Sequence, residues 1–123
     1  MIELSIPHPP SVNSLYRNVP GRGRAKTERY KTWLTAAGWE IRRQRPGRIE
    51  GPYSLTIIVK RKNKRADLGN LVKAVEDILV AHRVIEDDCH ASDIHLHWSD
   101  LVTDTQLILR PAGLADAVLD AAE

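Results

Sequence analysis

A chain of 123 residues in which 42% are hydrophobic and 28% charged has the composition of one globular domain, spanning 1–123, with no second domain expected. It contains no run of about 18 apolar residues and no basic-then-apolar leader, so neither membrane insertion nor secretion is indicated, and a cytoplasmic location is expected. The net charge of +2 conceals a segregation: residues 1–65 hold 15 Lys and Arg against 4 acids, and residues 66–123 hold 3 against 12, which points to a basic surface for a polyanion beside an acidic site.

At the start, Ile2, Leu4 and Ile6 alternate with Glu3 and Ser5, the period of a half-buried strand, and Pro7, Pro9 and Pro10 stop it. Residues 11–24 have no periodicity, are punctuated by Pro20, Gly21 and Gly23, and read as an exposed, mobile loop. Its Arg17, Arg22 and Arg24 can fork onto phosphates, while Asn13 and Tyr16 can hydrogen-bond or stack. Thr27 then suits a helix N-cap, followed by an apolar stripe at Tyr30, Trp33, Leu34, Ala37 and Ile41 that ends near Arg45-Pro46-Gly47. Trp33 is expected in the core.

Tyr53, Leu55, Ile57 and Val59 mark a central strand that runs directly into the basic segment Lys60, Arg61, Lys62, Lys64 and Arg65. A second helix is predicted from Leu68, Leu71, Val72, Val75 and Leu79, with Ile78 at the edge of the stripe. Asp67 falls in its first turn, and Asn70, Lys73 and Asp77 lie on the face away from the stripe. Asp67 can be read as an N-cap or as a metal ligand, and Lys73 with Asp77 as an ordinary i, i+4 pair; spacing alone leaves these open.

Glu86, Asp87 and Asp88 form an acidic cluster beside Cys89, the single cysteine, which is read as a small turn residue. Ile94, Leu96 and Trp98 alternate with His95 and His97 in a strand whose histidines face solvent, and residues 105–110 form a last strand, predicted to pair with it as an antiparallel hairpin. An Ala-rich acidic tail follows, read as a short helix or a frayed end. The order of elements argues an α+β fold: a two-layer domain with a mixed, mostly antiparallel β-sheet covered by two helices.

The stretch RADLGNLVKAVEDILVAHRVIEDD resembles the RusA family of Holliday junction resolvases, whose pattern is Arg, any residue, Asp-Leu-Asp-Asn-Leu, then Lys, a helix and a paired Asp-Asp. A second piece, PPSVNSLYR, is similar to the Pro-Pro-Ser-x-Asn segment that these proteins carry after their first strand. The resemblance implies a metal-dependent endodeoxyribonuclease that resolves four-way DNA junctions by paired phosphodiester cleavage in recombination and repair, acting as a homodimer. Carried over by residue, Asp67, Lys73 and Asp88 are the expected catalytic residues; Asp67 and Asp88 are then the expected ligands of Mg²⁺, for which Mn²⁺ can substitute, and Asp87 or Glu86 is an auxiliary ligand. Branched DNA is the implied partner, contacted by Asn13, Tyr16, Arg17, Arg22, Arg24, Lys62, Lys64, Arg65 and Asn70.

One position departs from the pattern. Gly69 stands where the family has its second Asp, so either Glu86, Asp87 or Asp77 replaces that carboxylate, or the chain is a non-catalytic DNA-binding module on the same fold.

Overall fold

The computed structural model describes residues 1–60 and 68–112. The acidic tail lies outside the described residues, as do Lys62, Lys64, Arg65 and Asp67. No helix among the described residues is long and apolar enough to cross a membrane.

The alternating apolar residues build a four-stranded sheet of β1 (Ile2–Ile6), β4 (Tyr53–Val59), β5 (Ala91–Trp98) and β6 (Thr105–Pro111), in the order β1-β6-β4-β5. β4 and β5 are parallel, and the other two pairings are antiparallel. Leu4 and Ile6, Leu107 and Leu109, and Tyr53, Leu55, Ile57 and Val59 are buried on one face, with Ile94, Leu96 and Trp98 packed at its margin. That face is covered by α1 (Glu28–Gln44) and α2 (Val72–Ala81), as a two-layer α+β arrangement requires.

β5 and β6 do not form the predicted hairpin, because β4 lies between them. Their connection crosses the end of β4, where the Ser99 amide donates to the Val59 carbonyl at 2.9 Å. The reason lies in β4, whose apolar run is satisfied only by a central position with both edges paired.

Residues 11–24 are likewise ordered rather than a loop. After a 3-10 turn at Val12–Ser14 they form a two-stranded ribbon, β2 (Tyr16–Val19) against β3 (Gly23–Lys26). Gly21 and Gly23 adopt φ values of +75° and +80° at the reversal, a conformation that favours glycine.

α1 starts at the expected cap: Thr27 Oγ1 accepts from the Tyr30 amide at 3.1 Å. The same hydroxyl donates to the Ser14 carbonyl at 2.6 Å, tying the start of the helix to the base of the ribbon. At the far end Arg45 enters the left-handed region at φ 50° and stops the helix. Gln44 binds both backbone groups of Ser5, at 2.8 and 2.7 Å, along the edge of β1, and Trp33 Nε1 donates to the Pro7 carbonyl at 2.9 Å.

α2 begins as regular helix only at Val72, preceded by a 3-10 turn over Leu68–Leu71. Its buried stripe is Leu71, Ala74, Val75, Ile78 and Leu79, so Ile78 is fully in the core rather than at its edge. The helices approach closely at Gly38, where a Cβ would stand 2.8 Å from His82 Nε2. Thr27→Ala is expected to lower stability by about 1 kcal/mol or more, since it removes a helix cap and also leaves the Ser14 carbonyl without its hydroxyl donor; urea unfolding measures the loss.

Candidate active site

The polar face of α2 carries Lys73, Glu76 and Asp77, and each of its acids is gripped by a tyrosine from another element. Tyr53, the first residue of β4, donates its hydroxyl to Glu76 Oε2 at 2.8 Å. Tyr30, from the buried side of α1, donates to Asp77 Oδ2 at 3.1 Å. Asp77 Oδ1 in turn pairs with Lys73 Nζ at 2.9 Å.

These contacts set the electrostatics. Burial pushes the Glu76 carboxyl above its ordinary value against the opposing hydrogen bond from Tyr53, and the charges of Asp88 and Asp77 push the same way as burial. Both phenols are driven upward, first by burial and then by their carboxylate partners, so they remain neutral donors. The hydrogen bond and charge of Asp77 hold the Lys73 ammonium above its usual range, with a smaller contribution from Asp88.

The acidic cluster follows α2 and leads into β5. Asp87 caps a 3-10 turn at Asp88–His90, its Oδ1 accepting from the Cys89 amide at 3.0 Å. That amide, and then the bond shared with Asp88, holds the Asp87 carboxyl below the usual carboxylate range, while Asp88 is pushed above it, first by the bond to Asp87. Glu86 is occupied elsewhere: its Oε1 accepts from the Gly51 amide at 2.7 Å.

A cleft of about 470 Å³ runs between α1, α2 and the ribbon, lined among others by Tyr16, Lys26, Tyr30, Asp77, Asp87 and Asp88. The ribbon thus reaches the acids through Tyr16, whose ring meets Tyr30 edge-on at 5.9 Å and carries the Arg24 guanidinium 4.7 Å from its centroid. Arg17, Arg22, Arg24 and Asn13 are exposed. Asn70 is half-buried in the 3-10 turn before α2, which packs against the Val12–Ser14 turn that holds Asn13.

Of the residues expected from sequence, Asp87, Asp88 and Tyr16 therefore share one cleft, with Lys73 in electrostatic reach of Asp88. Glu76, Tyr30, Tyr53 and Lys26 were not anticipated. The available signals were the three-residue spacing of Lys73 and Glu76 on one helix face, and the need of any buried tyrosine hydroxyl for a partner.

For a metal ion, Asp87 and Asp88 offer adjacent hard oxygens of the kind Mg²⁺ prefers. Among the described residues no group of three or more His, Cys, Asp or Glu is placed to hold an ion. The two carboxylates suit Mg²⁺ in chemistry, and Asp67, the other ligand expected from sequence, lies outside the described residues.

The model of the RusA endodeoxyribonuclease family matches residues 7–108, from the end of β1 into β6. The chain belongs to the RusA family of Holliday junction resolvases. The match takes in the ribbon, both helices and the Asp87–Asp88 turn, so the cleft is formed entirely by the RusA part of the chain. No curated protein matches the chain significantly.

Glu76 binds its proton more tightly folded than unfolded, so its ionisation costs stability as pH rises through the folded pKa and costs nothing below the unfolded value of about 4.3. Glu76→Gln keeps an acceptor for Tyr53 and removes that cost. It is expected to raise the melting temperature at neutral pH, with the gain vanishing below about pH 4; thermal melts at the two pH values check it.

Proposed function

We propose that this chain is a Mg²⁺-dependent, structure-selective endonuclease that cuts four-way DNA junctions in pairs as a homodimer, in recombination and repair. The observation that carries the reading is that Asp87 and Asp88 line one cleft, with Lys73 in electrostatic reach and the arginine-bearing ribbon lining it through Tyr16 and Lys26, in a RusA family chain.

In this reading Asp67 and Asp88 hold the ion, with Asp87 as an auxiliary ligand. When bound, Mg²⁺ acidifies a water and neutralises phosphoryl oxygens. Lys73 places a fixed positive charge where negative charge grows on the scissile phosphate or the leaving oxygen. Arg17, Arg22 and Arg24 grip the phosphate backbone, Tyr16 and Asn13 contact the strand beside them, and Lys62, Lys64, Arg65 and Asn70 extend the contact along the start of α2. Two symmetric cuts call for two sites related by a twofold axis, hence the dimer.

Gly69 favours a second reading, a junction-binding module without nuclease activity. Among the acids that could replace the missing carboxylate, Glu86 is held by Gly51 and Asp77 by Lys73 and Tyr30. Asp87 remains, with one oxygen engaged by its own turn.

Labelled four-way junctions incubated with the protein and Mg²⁺ separate the two. The enzyme reading expects paired nicks that disappear with a chelator and in Asp88→Asn, fall about 100-fold or more in Lys73→Ala, and leave salt-sensitive junction binding in place. Binding without nicks at any Mg²⁺ or Mn²⁺ concentration overturns it. Gly69→Asp is expected to lower the Mg²⁺ concentration needed for half-maximal cleavage, measured in the same assay.

A further inference from the structure

The Lys73–Asp77 contact differs from the other ion pairs along the helices. Glu28 with Lys31 and Glu40 with Arg43 are exposed pairs on α1, the first with side chains 85% and 58% accessible. Asp77 is only 27% accessible, and both of its oxygens are engaged, one by Lys73 and the other by Tyr30. Tyr30 itself is 1% accessible and stacks at 6.3 Å on Trp33, which is anchored to the Pro7 carbonyl.

Helix stability does not account for the arrangement. An i, i+4 pair with the cation N-terminal to the acid has the weaker orientation, and Asp is a poor residue for a helix interior. Burying a phenol and half-burying a carboxylate both cost desolvation. What the arrangement does provide is a fixed location for an otherwise flexible four-carbon ammonium on the face of α2 toward Asp88.

We infer that Tyr30 and Asp77 are positioning residues: the phenol of α1 orients the carboxylate, and the carboxylate holds the Lys73 ammonium in place for phosphodiester cleavage. The inference rests on the reading of Lys73 given above. Neither residue touches the phosphate; both act through Lys73. A preorganised cation pays no reorientation cost when charge develops, and for that reason its supporting partners matter to rate and not to DNA affinity.

The test uses near-isosteric changes. Tyr30→Phe keeps the core volume and frees Asp77 Oδ2, and Asp77→Asn keeps an acceptor for Tyr30 and loses the charge facing Lys73. In single-turnover cleavage of a four-way junction at saturating protein, each is expected to slow the rate roughly 10- to 100-fold without loss of junction affinity. In a Lys73→Ala background neither should slow it further. An equal loss in that background, or a loss of affinity matching the loss of rate, overturns the inference. A second measurement is independent of cleavage: in ¹⁵N spectra of the side-chain ammonium groups, Lys73 should give a signal protected from rapid exchange that is lost in Asp77→Asn and weakened in Tyr30→Phe. An unprotected signal in the parent protein, or one that Tyr30→Phe leaves unchanged, overturns the positioning. Absence of cleavage in the parent protein instead overturns the nuclease reading and leaves the spectra to decide this one.

Discussion

The central place of β4 is the constraint on which the rest of the molecule depends. Tyr53, Leu55, Ile57 and Val59 are all fully buried, and both edges of the strand are hydrogen-bonded, antiparallel to β6 and parallel to β5. A parallel neighbour needs a crossover, and α2 provides it. The crossover brings the polar face of α2 and the acidic turn that ends it back to the first residues of β4 and β5. Tyr53 opens β4 and pairs in register with Ala91, three residues beyond Asp88, while its hydroxyl reaches Glu76. A single strand position thus anchors Glu76, and the strand beside it continues from the turn acids.

Much of this was legible in the residue pattern, and the misses have identifiable causes. Period-two alternation marks one buried face, and it located β1, β4, β5 and β6; it does not say which strand is the neighbour. A six-residue connection can close a hairpin or cross over the end of a third strand, and only the appetite of β4 for two partners decides between them. The ribbon was harder to see because Arg17, Asn18 and Arg24 are polar on both faces, so no alternation exists. Its signal was confined to the glycines of the reversal, Gly21 and Gly23. At the cleft, charge marked the cluster of Glu86, Asp87 and Asp88, while Lys73 and Asp88 were singled out by the family resemblance, since spacing alone leaves Lys73 open. Tyr30 and Tyr53 counted as apolar members of a stripe, which is how most of each ring behaves, and it is their hydroxyl groups that act.

The choice of tyrosine as partner has an electrostatic consequence. A half-buried carboxylate must have a donor, and lysine or arginine would meet that need by cancelling its charge. A phenol with a strongly raised pKa donates the hydrogen bond and cancels nothing. Glu76 is therefore held in place by a neutral donor, its charge adding to that of Asp88, whereas Asp77 is balanced by Lys73 as well as held by Tyr30. Of the described side chains on this face of α2, Lys73 alone is cationic.

A DNA strand approaching such a surface meets two opposed fields. The guanidinium groups of the ribbon attract its phosphates, and Asp87 and Asp88 repel them, with Lys26 on the cleft lining and Lys73 paired to Asp77. At contact distances near a protein surface, each like-charge pair costs about 4 kcal/mol at 4 Å, whereas charges beyond about 8 Å are largely screened at physiological salt. In the proposed enzyme, a divalent ion would supply positive charge at the acids themselves. The segregation of basic and acidic residues along the sequence thus sets attraction for a polyanion in one half of the chain and repulsion in the other.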